Sequence, residues 1–226
     1  MSNSIIRCLW GNSKKIEEDV DIALEDDIPF ICYTFGVSNH QLLLSKGVKS
    51  VLVNSNPLLY YRKGFRYQSF KYKLDIIKYA MSDFGEILYL DWDCNLIDGY
   101  KDVWQELRQK KEIQGCLYWW DSKVCNWRIN KYRQHFLINT GFLYIRDKKL
   151  PDQFLKEWDK VRHWNDEISI MKVIDDIYGY QGKRYWLKYF EPLMCQLYIN
   201  PVFKKKDPVF THCKRRSERE KLLGSE

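Results

Sequence analysis

The sequence lacks the features that mark membrane-spanning and disulfide-stabilised secreted proteins. No apolar run approaches the roughly twenty residues that cross a bilayer, and residues 1–7 lack the apolar stretch of a signal peptide. The seven cysteines are odd in number, form no Cys-x-x-Cys pair and mostly lie within apolar runs. We therefore expect free thiols in a reducing compartment and a soluble, cytoplasmic protein without a membrane span.

No repeat, linker or low-complexity segment divides the chain. Its 226 residues are 45% hydrophobic and 16% aromatic, which is enough apolar material for one substantial core. We therefore expect a single domain over residues 1–226. The net charge of +7 is concentrated near the end, where residues 203–221 carry eight Lys/Arg against three Asp/Glu. This basic C-terminal segment, about 203–226, favours an anionic partner such as a phosphate-bearing donor, a nucleic acid or an anionic surface, or it is a solvated tail.

Short apolar segments alternate with amphipathic ones along most of the sequence. The pattern predicts strands at 5–10, 29–35, 48–53, 86–90, 113–118 and 136–146, and helices starting near 14, 40, 69, 102, 151 and 166. Leu24 and Tyr79 are among the residues expected on the inner faces of their helices, and Gly85 is expected to end the third helix. The alternation predicts an α/β domain with a parallel sheet.

Two carboxylates, Asp91 and Asp93, stand at the end of the apolar strand that begins at Glu86. Open α/β sheets bind ligands at the carboxyl ends of their strands. Carboxylate oxygens are ligands that Mg²⁺ and Mn²⁺ prefer, and such an ion would bridge the pair to a diphosphate. The motif therefore predicts a nucleotide-sugar transferase, although the same two residues also suit a simple cap of the next turn.

Further candidate residues follow the Asp-x-Asp pair in a definite order. Gly141, inside an apolar strand, marks either a close approach of a ligand or a β-bulge. The acidic pair Asp166 and Glu167 opens a helix, where a carboxylate also favours the helix dipole. Trp119, Trp120 and Trp127 are candidates for stacking on sugars or bases, or for simple packing.

The ordered set of motifs resembles the GT-A glycosyltransferases, and most of all the glycogenin and lipopolysaccharide-galactosyltransferase group with its small viral and bacterial relatives. The likeness covers nearly the whole chain. It is carried by Lys73, Leu88-Tyr89-Leu90-Asp91-Trp92-Asp93, Ile138-Asn139-Thr140-Gly141-Phe142, Asn165-Asp166-Glu167 and Thr211-His212-Cys213-Lys214. The resemblance implies a single Rossmann-like GT-A domain with a mixed, mostly parallel central sheet flanked by helices. For a virus-encoded member it implies the host cytoplasm.

The resemblance also implies roles for individual residues. Metal ligands to Mn²⁺ or Mg²⁺ would be Asp91, Asp93 and His212. Donor-binding residues would be Trp10, Arg66, Lys73, Asp91, Asn139, Gly141 and Lys214. Catalytic residues would be Asp166 and Glu167, as a base in inverting enzymes or as a holder of the sugar in retaining ones. The sequence departs from the family pattern after His212, where Cys213-Lys214-Arg215-Arg216 replaces the usual glycine-rich surroundings.

The resemblance implies a metal-dependent hexosyl- or pentosyltransferase that moves a sugar from a nucleoside diphosphate sugar, with UDP-sugars favoured, to a hydroxyl acceptor on a glycan or a modified DNA base. Two other hypotheses stay open at this point. One is a phosphotransfer or nucleotidyl-transfer enzyme that uses the same Asp-x-Asp pair, although Asn95 stands where the phosphatase motif carries Thr or Val. The other is a non-enzymatic nucleic-acid-binding module that uses the basic segment and exposed aromatics.

Overall fold

We analysed the protein as a computed structural model. It describes residues 3–10, 16–26, 28–53, 70–96, 104–108, 113–119, 136–161, 166–178, 195–197 and 210–212. The strands are β1 (Asn3–Leu9), β2 (Ile31–Thr34), β3 (Lys49–Leu52), β4 (Glu86–Leu90), β5 (Cys94–Leu96), β6 (Ile113–Trp119), β7 (Phe136–Ile145), β8 (Cys195–Leu197) and β9 (Phe210–His212). The helices are α1 (Ile16–Glu25), α2 (Val37–Ser45), α3 (Phe70–Phe84), α4 (Trp104–Arg108), α5 (Leu150–Val161) and α6 (Asp166–Tyr178).

A six-stranded sheet in the order β3-β2-β1-β4-β7-β6 forms the centre of the domain. The first four strands of this order are parallel, whereas β7 runs antiparallel to both β4 and β6. A smaller sheet has the order β5-β9-β8. The expected mixed, mostly parallel sheet flanked by helices is confirmed. The three-stranded sheet was not predicted, because its strands are too short to show an apolar period.

Helices cover both faces of the large sheet, so β2, β4 and most of β1 are buried on both sides. One apolar cluster joins the sheet to α3, α5 and α6 through residues such as Leu74, Phe154 and Ile170. A second joins it to α1 and α2 through Val20 and Leu43. This double burial explains why β4 after Glu86, and β1 after Ser4 apart from Arg7, consist of non-charged, mostly apolar residues instead of alternating ones. None of the helices in the described ranges is long and apolar enough to cross a membrane.

The predicted buried faces of α1 and α3 were each wrong at one position, where the side chain is exposed. Leu24 on α1 is 38% exposed and Tyr79 on α3 is 46% exposed. Both residues lie at the rim of the apolar stripe, next to true core positions such as Ala23 and Ala80. An amphipathic stripe is wider than the line of contact with the sheet, so its edge residues stay in solvent. The stop at Gly85 is confirmed: its φ of 76° is a left-handed conformation that glycine adopts without a Cβ clash.

A buried carboxylate fixes the end of β4 that lies away from the Asp-x-Asp pair. Glu86 accepts hydrogen bonds from Arg108 on α4 (Nη2 to Oε2, 2.7 Å) and from Tyr144 on β7 (OH to Oε1, 2.8 Å). Burial alone would raise the pKa of Glu86, but the hydrogen bonds from Arg108 and Tyr144 outweigh it and hold this pKa below its usual value. The glutamate therefore stabilises the fold in its ionised form.

We expect Glu86→Gln to lower the free energy of unfolding at pH 7 by about 1–3 kcal/mol, since hydrogen bonds to a charged acceptor are lost. The pKa of Glu86 is lower in the folded state than in the unfolded state, so ionised Glu86 stabilises the fold above its unfolded-state pKa. This stabilisation is lost as the pH falls through the folded-state pKa. The difference between wild type and Glu86→Gln should therefore shrink below about pH 4. Thermal unfolding followed by circular dichroism from pH 7 to pH 3 measures it, and a difference that stays constant over this range contradicts the assignment.

Candidate active site

The candidate site lies where the order of the large sheet changes direction. The chain passes from β1 outward to β2 and β3, and it then returns to the other side of β1 to form β4. The carboxyl ends of β1 and β4 thus border the crevice at which open α/β sheets bind ligands. Trp10 follows β1 and Asp91 follows β4. Both predicted residues therefore lie at the edge of the sheet where folds of this topology bind their ligands.

A buried lysine joins two of the predicted carboxylates. The Nζ of Lys73, on α3, lies 3.0 Å from an oxygen of Asp91 and 3.1 Å from Oδ2 of Asp166. The lysine side chain is 3% exposed and that of Asp166 is 4% exposed, whereas Asp91 keeps 28% of its side chain accessible. Asp91 is therefore the member of this ion-pair network that a ligand can reach, while Lys73 and Asp166 lie beneath it.

Thr140 on β7 connects the lysine to the second carboxylate by hydrogen bonds. Lys73 Nζ donates to Thr140 Oγ1 at 3.2 Å, and the same hydroxyl donates to Oδ2 of Asp166. Because Asp166 is the first residue of α6, the network ties the start of this helix to β7 and to α3. Three separate elements are thus fixed around the Asp-x-Asp pair.

The electrostatics of the network keep Lys73 charged. Burial by itself would lower the pKa of Lys73, but the carboxylates of Asp166 and Asp91 outweigh that effect and hold this pKa above its usual range. Tyr89 donates its hydroxyl hydrogen to Asp91 Oδ1 at 2.8 Å. Burial, followed by the negative charge of Asp91, raises the pKa of Tyr89 well above its ordinary value, so Tyr89 remains a donor.

The backbone of β7 is irregular beside the Asp-x-Asp turn. Gly115 of β6 pairs with Leu143, but the next residue, Cys116, pairs with Asn139, which leaves residues 140–142 of β7 as a bulge. The Gly141 carbonyl within this bulge accepts a hydrogen bond from the Asp91 amide at 2.8 Å. A bulge was one of the two alternatives for Asn139-Thr140-Gly141, and the structure has it, with β7 continuing through these residues.

Pairing of β5 with β9 brings His212 to the Asp-x-Asp turn. Cys94, the residue after Asp93, is the antiparallel partner of His212. Directly paired residues have Cβ atoms about 4.5–5.5 Å apart, so the backbone register places this histidine beside the predicted metal ligands. Among the side chains that the structure describes, which do not include that of His212, no three or more His, Cys, Asp and Glu residues form a metal-binding group.

Several of the predicted site residues therefore come together. The network contains Lys73, Asp91 and Asp166, with Gly141 bonded to the Asp91 backbone. Glu167 is partly exposed on the first turn of α6, and Asp93 is partly exposed in its turn. The backbone of Asn139 lies next to Thr140 in the bulge. Arg66, Lys214, Trp120 and Trp127 lie outside the described residues.

Trp10 packs against the helix that carries Lys73. Its ring centroid is 6.3 Å from that of Tyr72, the residue before Lys73, and the Tyr72 ring lies 4.6 Å from that of Phe35, just after β2. Tyr72 and Phe35 are buried and Trp10 is partly exposed. An aromatic face is thus present at the ends of β1 and β2, one residue along α3 from the ion-pair network.

Three residues of the site were missed or not given a role by sequence reasoning: Tyr89, Thr140 and Arg7. Tyr89 and Thr140 lie within the motifs at 88–93 and 138–142, in which the acidic, asparagine and glycine residues carry the predicted roles. Their hydroxyl groups within otherwise apolar strands were the available signal, since a buried hydroxyl must find a partner. Arg7 is the single charged residue between Ile5 and Leu9, and its burial was equally foreseeable as a sign of a specific contact.

No protein-family model matches the chain, and none of the curated proteins matches it. Solved structures do. A glycosyltransferase involved in glycosylation of the major capsid of PBCV-1 is similar with a TM-score of 0.50 at 15% identity, over 99% of this chain and 99% of that one. Mouse xyloside xylosyltransferase 1 is similar with a TM-score of 0.52 at 11% identity, over 95% and 98% of the two chains.

The WbbM bifunctional glycosyltransferase is also similar, with a TM-score of 0.52 at 9% identity, over 95% of this chain and 46% of its own. Identities this low establish a common architecture and nothing finer. The fold of the protein is therefore the Rossmann-like GT-A fold that the sequence predicted.

Proposed function

We propose that the protein is a metal-dependent glycosyltransferase that moves a sugar from a nucleoside diphosphate sugar, with UDP as the favoured nucleotide, to a hydroxyl acceptor on a glycan or a modified DNA base. The observation that carries the proposal is the buried Lys73 held between Asp91 and Asp166 at the carboxyl end of β4. In a GT-A sheet, such a network places charged side chains at the crevice between the carboxyl ends of β1 and β4, where the diphosphate of a donor would lie.

The donor would lie across the ends of β1 and β4. Trp10 offers a partly exposed aromatic face for the base, supported from behind by Tyr72. With Lys73 protonated between two carboxylates, the network has one more negative group than positive groups, so it favours a cation that would offset the charge of the diphosphate. The proposed donor contacts of Arg66, Asn139 and Lys214 would complete this surface.

The residues at the Asp-x-Asp turn fit a divalent ion. An ionised carboxylate has about four lone-pair sites, so Asp91 can accept from Lys73 and Tyr89 and still offer oxygen to a metal through its exposed part. Asp93 supplies a second hard ligand, and the register of β5 with β9 adds the backbone position of His212. When bound, Mn²⁺ or Mg²⁺ would neutralise the charge that develops on the departing diphosphate.

The two acidic residues in the first turn of α6, Asp166 and Glu167, are suited to different tasks. Asp166 is buried and its Oδ2 is engaged by Lys73 and Thr140, so it holds the network and cannot reach an acceptor. Glu167 is the partly exposed carboxylate next to it. We therefore assign to Glu167 the contact with the reacting groups, either accepting the proton of the acceptor hydroxyl or holding the sugar.

Calorimetry with Mn²⁺ and a panel of UDP-, GDP- and TDP-sugars tests the proposal. We expect one nucleotide class to bind in the presence of Mn²⁺ and to bind much more weakly with chelator, since Asp91 and Asp93 would hold the ion that offsets the charge of the diphosphate. A mass-spectrometric transfer assay with oligosaccharides and with hydroxymethylated DNA then identifies the acceptor class. Absence of binding for every nucleotide sugar would overturn the proposal.

A further inference from the structure

Arg7 is a buried arginine in the middle of the sheet. It lies on β1, which has a hydrogen-bonded strand on each side, and it ranks among the largest fully buried side chains in the described residues. Burial lowers the pKa of Arg7, because removal from water disfavours the charged form of the guanidinium. A charged group in such a position is retained only where it makes specific contacts.

The guanidinium of Arg7 contacts both ends of the Asp-x-Asp turn. Its Nη1 donates to the Asp91 carbonyl at 2.6 Å, and its Nη2 donates to the Cys94 carbonyl at 3.0 Å. The Cys94 amide closes the turn by donating to the same Asp91 carbonyl at 3.0 Å. One planar cation therefore spans the turn in which Asp91 and Asp93 stand, through two of its backbone carbonyls.

Aromatic rings hold the guanidinium in place. Its carbon lies 5.1 Å from the centroid of the Phe30 ring and 5.3 Å from that of Trp92, and the two rings meet edge to face at 5.8 Å. Trp92, in the middle of the turn, also donates its indole N–H to the Cys8 carbonyl on β1 at 2.9 Å. The turn is thus attached to β1 at three of its four residues.

We propose that Arg7 is a positioning residue that presets the backbone of the Asp91–Cys94 turn, so that Asp91 and Asp93 face a divalent ion at a fixed spacing before the ion arrives. This inference rests on the proposed function, and it assigns to β1 a task in metal affinity. Arginine suits the task because its rigid fork reaches two carbonyl oxygens at once, whereas lysine carries a single ammonium group on a flexible stem.

The variants Arg7→Lys and Arg7→Met test the inference with two measurements. The first is hydrogen exchange of the amides in residues 91–94 relative to those of β4 and β7. The second is the dissociation constant of Mn²⁺ with UDP, measured by calorimetry. We expect exchange in the turn to accelerate about tenfold or more, as for a locally opened segment. The Mn²⁺ dissociation constant should rise about 10- to 100-fold, as for loss of a group that orients metal ligands.

Tyr144→Phe is the matched control, because it removes a buried hydrogen bond to Glu86 at the opposite end of β4. It should lower overall stability and leave both the turn amides and the Mn²⁺ affinity unchanged. If the Arg7 variants instead accelerate exchange evenly across the sheet, or if they keep wild-type exchange in the turn, the inference is wrong.

The outcome separates this inference from the proposed function. If the wild type binds no Mn²⁺ with UDP, the proposed function fails, and the exchange rates of residues 91–94 alone decide whether Arg7 presets the turn. If neither Arg7 variant folds, Phe30→Leu takes their place, since it removes a ring that holds the Arg7 guanidinium and leaves the turn residues themselves unchanged. Faster exchange confined to the turn then supports the inference, and unchanged exchange overturns it.

Discussion

Replacing Lys73 with methionine is expected to lower the free energy of unfolding by about 3–5 kcal/mol, because the buried Asp166 would lose its cation. Methionine fills a similar volume but offers neither charge nor donor to Asp166, Asp91 or Thr140. Any sugar transfer should also fall about 100-fold or more, since the two carboxylates would repel each other and shift out of position. Urea unfolding and a transfer assay at saturating donor measure the two effects.

The double variant Lys73→Met/Asp166→Asn is the informative control. It removes the unpaired charge together with its former partner, and we expect it to be more stable than Lys73→Met alone by about 1–3 kcal/mol. The pKa of Lys73 is higher in the folded state than in the unfolded state, so charged Lys73 stabilises the fold fully below its unfolded-state pKa. This stabilisation is lost only as the pH rises through the folded-state pKa. The loss caused by Lys73→Met should therefore be the same at pH 7 and pH 9.

Asp93→Ala is expected to reduce sugar transfer about 1000-fold or more and to leave the fold intact. The side chain is partly exposed, so its removal should cost little stability. A metal that neutralises the leaving diphosphate contributes several kcal/mol to the transition state, and each 1.36 kcal/mol is about tenfold in rate. The rate is measured from the UDP released, and Mn²⁺ affinity from calorimetry.

Asp152→Ala provides the comparison for Asp93→Ala. Asp152 makes an exposed ion pair with Lys78 at 2.7 Å, away from the candidate site. The same substitution there should change stability by less than about 0.5 kcal/mol and leave transfer unchanged. Equal activity of Asp93→Ala and wild type would show that the Asp-x-Asp pair only shapes the turn. Asp93→Ala should leave any DNA affinity of the basic C-terminal segment intact while eliminating sugar transfer if the protein is an enzyme, which separates an enzyme from a binding module.

The central sheet was predictable because its strands are short apolar runs that alternate with amphipathic helices. The end of α3 at Gly85 was predictable because glycine readily adopts the left-handed conformation that commonly follows a helix. The exposure of Tyr79 was not predictable, because the apolar period of a helix indicates which face is buried but not how wide the buried face is. The sheet formed by β5, β9 and β8 was not predictable either, since its pairing joins short segments far apart in the chain.

The site was predictable in its residue types and less so in its contacts. Lys73 was expected to touch the donor, whereas the structure places it beneath Asp91, in an ion pair with Asp166. Asp166 and Glu167 were grouped as one catalytic pair, but one is buried and the other partly exposed. Burial depends on which elements pack together, and a motif read along one strand or helix does not contain that information.

The pairing of β5 with β9 gives the protein a characteristic order of assembly. Cys94 and His212 can meet only after the intervening chain has closed a very long loop, and such non-local contacts form slowly. On the ribosome, the strands β1 to β4 leave the exit tunnel well before residue 212. The nascent protein would therefore form its parallel sheet first, and the pairing that brings His212 to the proposed metal ligands Asp91 and Asp93 would form later.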